Sequence, residues 1–141
     1  MKKSILLLFA AFATLVASAH DFEVDGIYYN ITSDTEAEVT SDGISYYGSI
    51  TIPATVTYGD VEYSVTSIGE DVFNSCSDLT SITIPESVTS IGMSAFAWCS
   101  NLTAITIPEN SQLTSIGENA FAYCSSLTAI TIPEGVTSIG D

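Results

Sequence analysis

The sequence predicts a mostly β solenoid: stacked coils of about 23 residues behind a β-hairpin-rich N-terminal cap. Three observations predict it. The tetrapeptide Ile-Thr-Ile-Pro stands four times, at Ile50–Pro53, Ile82–Pro85, Ile105–Pro108 and Ile130–Pro133. It sits inside a longer repeated phrase. Val65–Ser87 (VTSIGEDVFNSCSDLTSITIPES) has 23 residues, Val88 opens a copy of 25, Leu113 opens one of 23, and Val136–Asp141 begins a fourth. Finally, the fixed apolar positions of a copy (Val88, Ile91, Ala95, Phe96, Cys99, Leu102, Ile105, Ile107) follow neither a helical nor a strand period throughout.

Residues 1–19 read as a secretory signal. Lys2 and Lys3 form a positive start, Ile5–Val16 is a nearly unbroken apolar run, and Ala17-Ser18-Ala19 supplies a small-residue cleavage pattern. The run is too short and wrongly flanked for a membrane span. The mature chain is expected from about His20, secreted or at the cell surface. It would keep all 17 Asp and Glu and no Lys or Arg, taking the formal charge from −15 to −17. Nucleic-acid affinity depends on cations that neutralise phosphates, and anchoring to anionic lipid needs basic clusters. Neither partner is expected.

Residues 20–64 are expected to form the N-terminal β cap, which shields the first coil's edge from sheet-to-sheet aggregation. Ile27–Ile31 and Ala37–Thr40 flank the polar turn Thr32-Ser33-Asp34-Thr35, and Val56–Tyr58 and Val61–Tyr63 flank Gly59-Asp60, so two hairpins are predicted. Ile50-Thr51-Ile52-Pro53 repeats the coil strand. Residues 65–141 are the repeats, three copies and an incomplete fourth. In each, the alternating Ile-Thr-Ile is a strand ended by proline, and a second short strand lies at Val-Thr-Ser-Ile. Gly92 is expected at a turn that needs positive φ, and the stretch around Ala-Phe-x-x-Cys in a compact helical or 3₁₀ conformation. A single coil buries too little to offset the ordering of its own backbone, so coils must stack.

The pattern VTSIGxxAFxxCxxLTxITIPE, in three successive copies over residues 65–141, resembles the BspA-like leucine-rich repeats of bacterial surface proteins. The preceding DFEVDGIYYNITSDTEAEVT and GSITIPATVTYGDVEYSVTSIG are similar to the region that precedes such repeats. The resemblance implies a right-handed leucine-rich-repeat solenoid exported to the cell surface or beyond. It also implies a non-enzymatic module for adhesion to a host or bacterial surface protein or a glycan.

The residues themselves direct attention to no catalytic centre. His20, the only histidine, stands at the expected mature terminus, and no Ser-His-Asp or Cys-His constellation can be drawn inside the fold. No enzyme activity, catalytic residue, cofactor or metal is expected. Cys76, Cys99 and Cys124 share one repeat position and are expected to be buried free thiols, because stacked coils hold Cβ atoms farther apart than a disulfide spans.

The candidate partner-binding residues are Ser81, Thr83, Thr106 and Thr131 on the outward strand face, the carboxylates Glu86, Glu109 and Glu134 after each proline, and the aromatics Trp98 and Tyr123. The glutamates are expected as a solvated ladder, with a calcium or basic-partner site as the sharper alternative. Trp98 and Tyr123 are expected to lie partly under the Ala-Phe-x-x-Cys turn, the alternative being exposure for glycan or protein contact. Asn30-Ile31-Thr32 and Asn101-Leu102-Thr103 match a glycosylation sequon, a weak signal behind a bacterial-looking leader. A different class of function stays open: a structural or self-associating surface protein that pairs through its uncapped C-terminal coil, or a fragment of a longer adhesin.

Overall fold

The computed structural model describes residues 20–141, so the segment read as a leader lies outside the described residues. Eleven strands follow one another: β1 Phe22–Val24, β2 Ile27–Ile31, β3 Glu36–Thr40, β4 Gly48–Thr51, β5 Thr55–Tyr58, β6 Val61–Ile68, β7 Leu79–Thr83, β8 Ser90–Ile91, β9 Ala104–Thr106, β10 Ser115–Ile116 and β11 Ser138–Ile139. They make two sheets. The larger runs β1-β2-β3-β6-β8-β10-β11 with β5 joined to β6, and the smaller runs β4-β7-β9.

Both anticipated hairpins form. β2 and β3 pair antiparallel across the polar turn, and β5 pairs β6 with Tyr58 opposite Val61. A third hairpin, β1–β2, closes over Asp25-Gly26 at φ 51° and 81°, the left-handed pair such a two-residue turn requires. β6 joins the two halves of the fold. Its start belongs to the β5 hairpin, its later residues pair parallel with β3, and Ser67-Ile68 begin the parallel stack that continues through β8, β10 and β11. The cap thus extends the larger sheet and, through β4, starts the smaller one. The smaller sheet begins at β4, with Val24, Asp25 and Ile27 lining a shallow groove beside it.

Columns of like side chains fill the space between the sheets, as the repeat demands. Val65, Val88 and Leu113 are fully buried, as are the Ile68-Ile91-Ile116 and Leu79-Leu102 columns or nearly so. Phe73, Phe96 and Phe121 stack with ring centroids 4.9 and 5.5 Å apart, and Tyr46 of the cap continues the column onto Phe73 at 4.7 Å. Tyr46 also fixes the loop around it. Its hydroxyl donates to the Thr40 carbonyl at 2.7 Å and accepts from the Tyr28 N–H at 3.1 Å. Burial pushes its phenol up to about 12. The hydroxyl of Tyr29, by contrast, is buried without a hydrogen-bond partner.

Two local expectations are corrected. No helix of either kind occurs among the described residues; the Ala-Phe-x-x-Cys stretches are runs of turns. Within them Asp71 and Ser75, Ser94 and Trp98, and Asn119 and Tyr123 have φ between 53° and 63°. A helix is excluded because alternate N–H groups point along the stack instead of back along the chain. Phe73 donates to Ala95, Ser75 to Ala97, Phe96 to Ala120 and Trp98 to Ala122, each at 2.8 Å. The stretch is a third inter-coil ladder.

Gly92, secondly, does not adopt positive φ. It is glycine because the coils touch there. A Cβ on Gly92 would lie 2.7 Å from the Gly69 carbonyl carbon and the Glu70 nitrogen, and one on Gly117 would lie 2.5 Å from the Met93 nitrogen. Real Cβ atoms do not approach backbone so closely.

Candidate functional site

The smaller sheet carries the first group of candidate residues. Its parallel register places Ser49 beside Ser81 beside Ala104, and Thr51 beside Thr83 beside Thr106. Ile50 and Ile82 interleave with them, and Ile82 is buried. The hydroxyl and methyl groups therefore face outward, as strand alternation requires. Ser49 and Ser81 bring their hydroxyl oxygens to 2.6 Å. The threonine ladder is Thr51-Thr83-Thr106, three rungs that begin in the cap. Thr131, expected as its last rung, is exposed and outside any strand. Thr51 and Ser49 were not among the anticipated site residues, although Ile-Thr-Ile-Pro at 50–53 marked their strand.

The glutamates are arranged differently. Glu86, Glu109 and Glu134 are all exposed beyond their prolines. Glu109, Thr131 and Glu134 line one open groove of about 420 Å³ with Pro108, Ile132 and Gly135. Among the described residues no group of three or more His, Cys, Asp or Glu side chains converges. His20 lies in the cap, its ring 4.5 Å from that of Tyr28 and its Nδ1 3.1 Å from Asp42 Oδ1.

The cysteines are free and buried. Two of them donate along the stack: Cys99 Sγ to the Phe73 carbonyl and Cys124 Sγ to the Phe96 carbonyl, both at 3.0 Å. Its contact with the Cys124 thiol, together with burial, holds the Cys99 thiol far above the usual range. Burial raises Cys76 as well. A protonated, sequestered thiol is a filler and a weak donor, not a nucleophile.

The aromatics depart from expectation. Trp98 and Tyr123 are not tucked under the turn; they are 55% and 66% exposed. Their rings stack at 4.0 Å with an interplanar angle of 14°. Left-handed backbone at both residues turns their side chains out while Phe96 and Cys99, two before and one after Trp98, stay fully buried. Ser75 holds the same place in the first coil, with the same φ of about 61°.

Comparison with known proteins places this geometry. The profile of the BspA type leucine rich repeat region matches residues 48–141 in six copies, starting within the segment read as cap. No curated protein matches the chain. Among solved structures, a leucine rich cell surface protein from Faecalibacterium prausnitzii A2-165 is 38% identical with a TM-score of 0.75, over 87% of this chain and 33% of that one. A leucine-rich repeat protein from Bacteroides capillosus ATCC 29799 is also 38% identical, with a TM-score of 0.74, over 84% of this chain and 86% of that one. The T. pallidum leucine rich repeat protein is 27% identical with a TM-score of 0.70, over 85% and 53%. The chain thus spans about a third of the length of the Faecalibacterium protein.

Proposed function

Because the chain belongs to the BspA-type leucine-rich repeat family, we propose that it is an exported surface protein that binds a protein partner without catalysing a reaction. One observation carries the reading: the outward face of β4-β7-β9. Threonine, serine and alanine repeat there in register on strands held by parallel pairing to the coil beside them. Such a face is rigid before contact, so little ordering entropy opposes association. From residue 20 onward the chain has 17 Asp and Glu and no Lys or Arg. A basic patch on a partner protein is attracted from a distance, and the small uncharged rungs supply close contact. The leucine rich cell surface protein of Faecalibacterium supports the surface placement, since its fold matches most of this chain.

The test is binding of purified protein to immobilised matrix proteins, mucins and neutral glycans across a salt series. Capture by a basic protein should weaken steeply from about 50 to 500 mM salt, because exposed charges are screened over that range. Thr83→Gln with Thr106→Gln should reduce capture by about tenfold or more, as long side chains break a flat contact. Binding indifferent to both salt and these substitutions would refute the reading. Concentration-dependent assembly of the protein alone, with no capture, would replace it with self-association.

A further inference from the structure

From the aromatic stack we infer a seat for an arginine side chain of a partner protein, on the coil that lacks an aromatic. This deepens the proposed binding role and rests on it, but names a second contact away from the threonine face. Three equivalent positions stand in register: Ser75 donates to Ala97 and Trp98 to Ala122, each at 2.8 Å, and all three residues are left-handed and exposed. Two of them hold stacked rings. Tyr123 covers one face of Trp98. The opposite face turns toward the first coil, where the side chain is only a serine whose hydroxyl donates to Asn74 Oδ1 at 3.0 Å. Ser75, at the equivalent place one coil before Trp98, is exposed and brings no ring to that face.

The surroundings specify its charge. Asp71 lies four residues before Ser75 and Asp78 three after, and both are exposed. The second coil has Ser94 and Asn101 at these positions, and the third has Asn119 and Ser126. The two carboxylates thus occur only on the coil with the vacant aromatic place. Asp71 uses Oδ1 to accept from Asn74 Nδ2 at 2.7 Å, and Asp78 has no side-chain partner among the described residues. An exposed indole next to a coil that carries two exposed carboxylates suits a guanidinium, which is planar, weakly hydrated and stacks on tryptophan. A lysine ammonium is compact and strongly hydrated, so it gains less. The sequence has no arginine. The arginine comes from another molecule.

Trp98 is the chain's single tryptophan, so its emission reports the site directly. Purified protein is titrated with a glycine-spaced triarginine peptide, its lysine counterpart and a neutral methyl glycoside, with calorimetry in parallel. The arginine peptide should change Trp98 emission saturably and bind several-fold tighter than the lysine peptide. Ser75→Tyr places in the seat a side chain that position already tolerates in the third coil. It should abolish the emission change and weaken arginine binding about tenfold. Asp71→Asn with Asp78→Asn should weaken it several-fold.

Equal affinity for arginine and lysine peptides, or an unchanged response in Ser75→Tyr, would overturn the seat and leave only diffuse charge attraction. A saturable response to the methyl glycoside that Ser75→Tyr removes would overturn it in favour of a sugar. A basic partner still captured by Ser75→Tyr but lost with the Thr83 and Thr106 substitutions would sink this inference alone. Loss of capture in neither would sink the proposed function together with it.

Discussion

Replacing Gly92 with alanine tests how the coils are held together. The new Cβ would meet the Gly69 carbonyl carbon and the Glu70 nitrogen at 2.7 Å, where ordinary contact begins near 3.4 Å. Both obstacles are backbone, so neither can rotate aside, and the two coils must part locally by about 0.7 Å. Two hydrogen bonds cross this junction: Gly92 N–H to Ile68 at 2.8 Å and Asp71 N–H to Met93 at 3.0 Å. Stretched by that amount they leave the bonding range. Their loss at about 0.5–1.5 kcal/mol each, with overpacking of about 1–3 kcal/mol, gives roughly 2–6 kcal/mol of destabilisation.

Equilibrium urea unfolding followed by circular dichroism measures it. Gly135→Ala, whose Cβ would meet only the Leu113 carbonyl oxygen at 3.3 Å, should cost less. Asparagine separates the causes. It reaches left-handed φ more easily than alanine, so a conformational requirement would make Gly92→Asn the milder change. Steric contact makes it at least as severe. A Gly92→Ala protein within about 0.5 kcal/mol of the parent, or one clearly weaker than Gly92→Asn, would refute the reasoning.

Other outcomes are as definite. A thiol reagent should find three thiols in denatured protein and react slowly with the folded state, whose thiols are buried; a count of one would mean a disulfide. Phe96→Ala, in the middle of the ring column, should cost about 3–5 kcal/mol, whereas Trp98→Ala should cost about 0.5–1.5 kcal/mol for the lost stack; similar losses would contradict the exposure of Trp98. Tyr46→Phe removes a bond to Thr40 and one from Tyr28, for about 1–3 kcal/mol. Its raised phenol makes the folded state the better proton holder. The parent's stability is therefore full below pH 10 and falls as pH rises toward about 12, a decline that should be shallower in Tyr46→Phe.

Much of the architecture was legible because a repeat states its own boundaries. Strands β7, β8, β9 and β10 lie where Ile-Thr-Ile and Val-Thr-Ser-Ile stand, and the Gly59-Asp60 hairpin followed from turn chemistry. β1 was readable too, from Asp25-Gly26 between Val24 and Ile27, but its strand is only three residues long. The Ala-Phe-x-x-Cys conformation was not readable. Positive φ is legible at Asp71 and Asn119, whose residue types favour it, yet Ser75, Trp98 and Tyr123 adopt it too. Ser75 and Trp98 are held there by N–H groups bonded to the next coil, a constraint no local pattern encodes. The exposure of Trp98 follows from that constraint and was hidden with it. Gly92 shows the same limit, since its neighbour in space lies 23 residues back.

The inter-coil hydrogen bonds of both sheets, and those of the turn ladder between them, run along the stacking direction. Tension applied between the two ends therefore loads them one junction at a time and does not shear many together. Each coil that peels away frees 23 or 25 residues, up to roughly 75–90 Å of extended chain. A solenoid built this way lengthens in discrete steps under tension and dissipates work at each, where a rigid rod would store the load until it broke.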